Sequence, residues 1–259
     1  MSQDHTLMAS RYELKYLIPE ALAFRVRHFV AQHLEIDEFG LGQPDLSYPV
    51  HSLYFDCNDW TIYGRTINGD RNRYKLRIRY YSEDPRIPVF FEIKRREKDV
   101  ILKHRCGVRR EAVQDVLAGF DPRSADLVSK TVEDLEALRE FSRLHQCLQA
   151  RPRLHVAYRR EAYVNDYNNE VRVTMDRQVQ AVPCLHLRLP TVMENPYICT
   201  DDGLVILELK FTSRFPAWYR ELVETFSLTQ TGGAKYVESA ARHFGRNQHP
   251  RDQIRNLWL

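Results

Sequence analysis

The chain lacks long apolar runs, paired cysteines and every common glycine-rich nucleotide signature. None of its 259 residues falls in a stretch approaching the roughly 18–20 consecutive apolar residues of a membrane-spanning helix. The opening MSQDHTLMASRYELK has no apolar core of a secretory signal. Five cysteines (Cys57, Cys106, Cys147, Cys184 and Cys199) are odd in number and scattered, with no C-x-x-C pair. That excludes a disulfide framework and a zinc ribbon and reads as reduced intracellular thiols. A cytoplasmic, soluble protein is expected. There is no Walker A loop, no Rossmann glycine fingerprint, no G-x-S-x-G and no H-E-x-x-H. The ten histidines show no zinc spacing; His51, His104 and His155 fall on expected strands and read as hydrogen-bonded side chains. Internal repeats and low-complexity runs are also missing. The formal net charge is only +3, so an anion site must come from arrangement and not from bulk charge.

What is present is alternation. The segments Arg11–Leu17, His51–Asp56, Arg73–Tyr81, Val89–Arg95, Val100–Arg105, Leu154–Val164, Val171–Gln180, Leu185–Leu189 and Leu204–Phe211 read as strands. Pro19 precedes an amphipathic helix over Glu20–Leu34, and Asp59–Ile67 reads as a turn and short helix. Helical periodicity takes over in 111–150 and returns at Ala217–Phe226 and Lys235–Phe244. The Asn- and Asp-rich run Asn165–Asn169 is expected to turn a hairpin. With 43% hydrophobic residues, the chain can fill one large core. The expected architecture is α+β: a large antiparallel sheet or β-barrel with helices inserted and appended. The expected domain spans 11–245, between an N-terminal tail, 1–10, and a C-terminal tail, 246–259.

Alternate side chains of a strand share a face. Lys75, Arg77 and Arg79 therefore stand together, opposite Tyr74, Leu76 and Ile78. Arg11, Glu13 and Lys15 share a face, as do Glu92 and Lys94, Lys103 and Arg105, Arg172, Thr174 and Asp176, and Glu208 and Lys210. On the strand from Leu154, His155, Arg159 and Glu161 are assigned the polar face against Val156 and Tyr158. A half-buried sheet with a solvated outer face explains alternation of this kind. It explains less well why the polar positions are charged almost throughout. A barrel with its apolar side under helices and its charged side inward accounts for both, provided carboxylates or a bound anion compensate the cations. In E-I-K at 92–94 and E-L-K at 208–210 the carboxylate can neutralise its lysine. It can equally hold Mg²⁺ or Mn²⁺ against a phosphate oxygen that the lysine grips. No nucleic-acid partner is expected, because the tyrosines lie opposite the arginines and offer no stacking platform beside them.

These segments resemble a known family. R-Y-E-L-K-Y at the start, S-L-Y-F-D at 52–56, R-Y-K-L-R-I-R at 73–79, F-F-E-I-K at 90–94, V-R-V-T-M-D at 171–176, L-E-L-K-F at 207–211 and A-K-Y at 234–236 are similar, in that order, to the VTC domain. That domain belongs to the triphosphate tunnel metalloenzymes, a CYTH-like superfamily. The resemblance runs from about Arg11 to about Ala240. It implies an antiparallel barrel whose tunnel binds triphosphate or polyphosphate with Mn²⁺ or Mg²⁺, and polyphosphate synthesis from ATP. It implies Arg77, Arg79, Arg159, Arg172 and Glu208 as catalytic residues. Lys15, Arg65, Lys75, Lys94, Lys103, Lys210 and Lys235 would bind phosphate, with Lys75 at the mouth. Glu208 would be the metal ligand, with Glu13, Glu92 and Asp176 as further candidates or as partners of neighbouring cations. Neither a phosphate-sensing SPX domain nor a membrane segment is expected within these 259 residues, and T-G-G-A-K-Y-V stands where S-x-x-K-Y is usual. A tripolyphosphatase or nucleoside triphosphatase of the same fold, or a non-catalytic polyphosphate or nucleotide sensor, would need the same basic lining. The tail Arg251–Leu259 is expected to pack on the barrel or to dock a membrane-protein partner.

Overall fold

The computed structural model describes residues 11–97, 100–165, 171–200, 203–212, 214–231 and 235–244. Both tails, most of the Asn165–Asn169 turn and the Gly232-Gly233 break lie outside the described residues. In chain order the elements are β1 (Arg11–Pro19), α1 (Glu20–Val30), β2 (Glu35–Ile36), β3 (Ser47–Asp56), α2 (Thr61–Ile67), β4 (Asn72–Tyr80), β5 (Val89–Glu97) and β6 (Val100–Val108). There follow α3 (Val113–Ala118), α4 (Val132–Cys147), β7 (Arg151–Val164), β8 (Val171–Pro183), β9 (Tyr197–Ile198), β10 (Leu204–Thr212), α5 (Ala217–Thr225) and α6 (Lys235–Phe244). The α+β expectation stands as a ten-stranded sheet with six α-helices among the described residues. Every pairing whose register is resolved is antiparallel.

Closure into a barrel does not stand. The sheet runs β1-β10-β8-β7-β3-β4-β5-β6, and among the described residues no pairing joins its end strands. Each end strand meets an irregular segment instead: Tyr16 of β1 bridges Gln230, and Val108 of β6 bridges Leu127. Such cover blunts an edge without closing the sheet. The strand expected at Leu185–Leu189 is irregular backbone, and the short β9 pairs with β8 in its place. An alternation of leucine with polar residues does not by itself make a strand, which also needs a partner strand. The helical region divides into α3 and α4, with Thr131 capping α4 by accepting from the Asp134 amide at 3.2 Å.

Two compact units share these elements. The first comprises Met1–Tyr48, Arg160–Arg177 and Asp202–Gly232. In it, Tyr16 and Ile18 of β1, Val173 and Met175 of β8, and Leu207 and Leu209 of β10 are buried with Val26 and Val30 of α1 and Tyr219 and Leu222 of α5. The second comprises Pro49–Arg159, Gln178–Asp201 and Gly233–Leu259. There, Leu53, Leu76, Ile78, Phe91 and Ile93 are buried with Leu138 and Phe141 of α4. In each unit, then, helices cover the apolar face of the strands and leave the alternate, charged face to the other side.

Buried histidines sit on the helix-covered face of the second unit. Tyr80 donates its one hydroxyl proton to the Pro190 carbonyl at 2.7 Å, so His155 Nε2, 3.0 Å away, is the N–H that it accepts. His51 Nδ1 lies 3.1 Å from the same nitrogen. Burial pushes His51 down to about 4, against the pull of Glu83, and His155 down to about 3, with His51 adding to the effect. Both are therefore neutral when folded and take up protons on unfolding below about pH 6.5. Stability from this pair is complete above that value and is lost as pH falls toward 4. Denaturant titrations between pH 7 and 5 should show a slope approaching ~1.4 kcal/mol per pH unit for each histidine. Replacing both with glutamine should flatten that slope; an unchanged slope would contradict the assignment.

Candidate functional site: two charged strand faces

Register turns the charged positions into rows. In the first unit, Lys15 of β1, Glu208 of β10 and Thr174 of β8 lie directly opposite one another, and so do Glu13, Lys210 and Arg172. Opposite charges meet at Lys15–Glu208 and Glu13–Lys210, which favours pairing, while Lys210 and Arg172 set two cations opposite one another. Lys210 Nζ sits 2.5 Å from Glu208 Oε2 and donates to Thr174 Oγ1 at 3.0 Å. Lys15 Nζ bridges Glu13, at 3.1 Å, and Glu208, at 3.6 Å. Arg160 grips Asp176 with two bonds of 2.7 Å and lies 3.6 Å from Glu208. Arg172 donates to Asp37 at 2.9 Å, which also accepts from Tyr48. Burial lowers Lys210 to about 8, with Glu208 opposing and Arg160 adding to the fall.

The second unit is far less balanced. Lys75 of β4, Lys94 of β5 and Lys103 of β6 form one row directly across three strands. The next row is Arg77, Glu92 and Arg105; the row beyond begins with Arg79. Glu92 is the one acid in these three rows among the described residues, and it is 1% exposed. Arg77 donates to its Oε2 through Nε at 2.7 Å and Nη2 at 2.5 Å. Lys103 and Arg105 each lie 3.5 Å from its Oε1 and Arg79 4.0 Å. That oxygen accepts no well-formed hydrogen bond. Burial alone would raise the Glu92 carboxyl, but Arg77, then Arg79, Lys103 and Arg105, hold it well below the usual carboxylate range. Two tyrosines serve the arginines: Tyr54 OH accepts from Arg77 at 2.9 Å and Tyr158 OH from Arg79 at 3.1 Å. Lys235 Nζ stands 5.1 Å over the Tyr158 ring, within cation–π range.

One assignment from alternation is reversed. Tyr158 lies on the charged face, with Arg79 and Lys235, while His155 joins His51 and Tyr80 under the helices. By alternation Arg159 shares the side of His155, and it is Arg160 that reaches Glu208 and Asp176. The sequence Tyr-Arg-Arg carries a cation at both parities, so alternation alone could not choose. Arg65 is exposed in the last turn of α2. Asp37, Tyr48, Tyr54 and Tyr158 were not anticipated as partners; their hydroxyls and carboxylate are brought in by strands and loops distant in sequence.

The match to known families settles the kinship of this arrangement. The VTC domain model matches residues 10–244. The chain belongs to the VTC domain family. No curated protein matches it. Among solved structures, the PH1819 protein from Pyrococcus horikoshii OT3 is similar at 14% identity with a TM-score of 0.45, over 90% of this VTC-domain chain and 99% of that one. The likeness is too slight to bear on function. Family membership points to a polyphosphate-related role. No helix among the described residues is long and apolar enough to cross a membrane.

Whether the VTC-domain residues suit a divalent ion can be tested on the donors. No group of three His, Cys, Asp or Glu side chains clusters among the described residues. Glu92 is ringed by cations and Asp176 is taken by Arg160. Glu208 and Glu13 share Lys15 and offer hard oxygens. Mg²⁺ is commonly held by one or two carboxylates together with substrate phosphates. The first unit's donor set fits that mode, and fits none that requires an all-protein shell.

Proposed function

We propose that the protein is a polyphosphate polymerase, transferring the γ-phosphoryl group of ATP to the end of a polyphosphate chain. The observation that supports it most is the row Lys75–Lys94–Lys103 beside the row Arg77–Glu92–Arg105. Like charges directly opposite one another across strands are destabilising. Glu92 is the one carboxylate within these rows among the described residues, and an extended polyanion lying along them would match their charge. Planar guanidinium groups, such as those of Arg77 and Arg79, hold phosphate oxygens two at a time and keep their charge at any physiological pH.

In this reading, Arg77 and Arg79, fixed by Tyr54 and Tyr158, neutralise the charge that builds on the transferring phosphoryl group. Lys75, Lys94 and Lys103 hold the chain. The first unit's face by itself, with Arg160 and Arg172 held by Asp176 and Asp37, and with Lys15 and Lys210, likewise presents positive charge to phosphate. Glu208, with Glu13, would hold Mg²⁺ or Mn²⁺, whose chemistry is to neutralise phosphate oxygens. The acceptor is a terminal phosphate oxygen, already anionic near neutral pH. A new P–O bond forms to it as the bond from the γ-phosphorus to the bridging oxygen of ADP breaks. No proton need be removed from the nucleophile, so positioning and electrostatics carry the rate.

Purified protein supplied with ATP and Mn²⁺ should release ADP with phosphate recovered in long chains. ADP with equimolar free phosphate and no chain would identify a hydrolase and sink the proposal. Tight tripolyphosphate binding without turnover would identify a sensor.

A further inference from the structure

The buried acid Asp56 has no place in the phosphate chemistry, yet it is among the most heavily bonded carboxylates in the second unit. It is fully buried at the end of β3. Its Oδ1 accepts from the backbone amides of Cys57 at 2.7 Å and Ile62 at 2.9 Å. Its Oδ2 accepts from the Tyr63 amide at 2.9 Å and from the Tyr236 hydroxyl at 2.5 Å. The amide bonds tie it to the first turn of α2; the hydroxyl bond ties it to the first turn of α6, 180 residues away. Burial pushes the Asp56 carboxyl up, while these four donors pull it back.

Tyr236 is itself 1% exposed and stacks on Tyr54, with ring centroids 4.7 Å apart and planes 24° from parallel. Tyr54 is the residue whose hydroxyl receives Arg77. The residue before Tyr236 is Lys235, 8% exposed, over the ring of Tyr158, which receives Arg79. A single hydrogen bond therefore joins the start of α6, which carries Lys235, to the end of β3. The other three donors to Asp56 are the backbone amides of Cys57, Ile62 and Tyr63, so the Tyr236 hydroxyl is the bond that connects this carboxylate to α6.

We propose that Asp56 and Tyr236 are positioning residues: their hydrogen bond fixes the start of α6 on β3 so that Lys235 stands at the basic face. This rests on the reading of that face as a phosphate site, and binding alone can separate the two. Calorimetry with inorganic tripolyphosphate on the full chain would compare wild type, Lys235→Ala, Tyr236→Phe and the double variant. Lys235→Ala should weaken binding about tenfold, the loss expected for one charge-assisted contact. Tyr236→Phe, which keeps the stacked ring, should weaken it about fivefold, and the double variant should bind no more weakly than Lys235→Ala alone. Asp56→Asn, which keeps an acceptor oxygen, should shift binding in the same direction as Tyr236→Phe if that variant folds poorly.

Additive losses would overturn the proposal, since the pair would then act independently of Lys235. Wild-type binding by Tyr236→Phe and Asp56→Asn would overturn it alone. Wild-type binding by Lys235→Ala would remove Lys235 from the site, and the positioning role with it. Failure of the wild-type protein to bind tripolyphosphate would overturn the phosphate reading of the face as well.

Discussion

Glu92→Ala should be the most destabilising single change on either charged face, and tripolyphosphate should largely reverse it. Glu92 is 1% exposed, and four cations approach it within 4.0 Å. Removing one partner of a buried ionic cluster leaves uncompensated charge in a poorly solvated place, at a cost of about 3–5 kcal/mol. Arg79 is itself 6% exposed and would be left beside Arg77 with no acid between them. The same vacancy favours an anion. A ligand at a hundred times its dissociation constant restores about 2.7 kcal/mol. Thermal melts should therefore show a large drop for the variant, and a larger upward shift with tripolyphosphate than the wild type gives. Sulfate at matched ionic strength serves as the control for general screening. An unchanged midpoint, or an equal ligand shift in both proteins, would show that these cations do not face the ligand.

Glu208→Gln should nearly abolish turnover while the protein stays folded. The amide oxygen still accepts from Lys210 and Thr174, so the bonds of 2.5 and 3.3 Å that now hold the carboxylate have a substitute acceptor. What is lost is the negative charge beside Lys15, Lys210 and Arg160, and with it a hard ligand for Mg²⁺ or Mn²⁺. Loss of one preorganised electrostatic group costs on the order of 10²–10³ in rate. Initial rates of ADP release measure this directly. A second readout is the rise in thermal midpoint that Mn²⁺ gives in the presence of tripolyphosphate: wild type should show it and Glu208→Gln should not. Retained activity with a retained Mn²⁺ effect would refute the role given to Glu208.

The two carboxylates illustrate how much of the site was legible beforehand. E-I-K and E-L-K look equivalent as sequence. In the structure, Glu208 lies opposite Lys15 and pairs with Lys210, and Glu13 stands opposite Lys210 in the adjacent row. Glu92 stands amid Arg77, Arg79, Lys103 and Arg105. The difference comes from neighbours on other strands, which no local pattern reports.

The sequence by itself determined which residues alternate within each strand, that the polar positions would be charged, and the VTC-domain kinship. These follow from a period-two backbone and from motifs that are contiguous in the chain. Only the tertiary structure decided which charges meet. Strand register aligned Lys75, Lys94 and Lys103 in one row and placed Arg77 against Glu92. In β7 the observed parity puts Tyr158 with Arg79 and Lys235 and brings Arg160 to Glu208. Among the described residues, the end strands β1 and β6 are met by irregular segments. Asp56 found Tyr236 across 180 residues. Each of these depends on pairing between segments distant in sequence, and a slip of one residue would have turned every side chain of a strand to the other face.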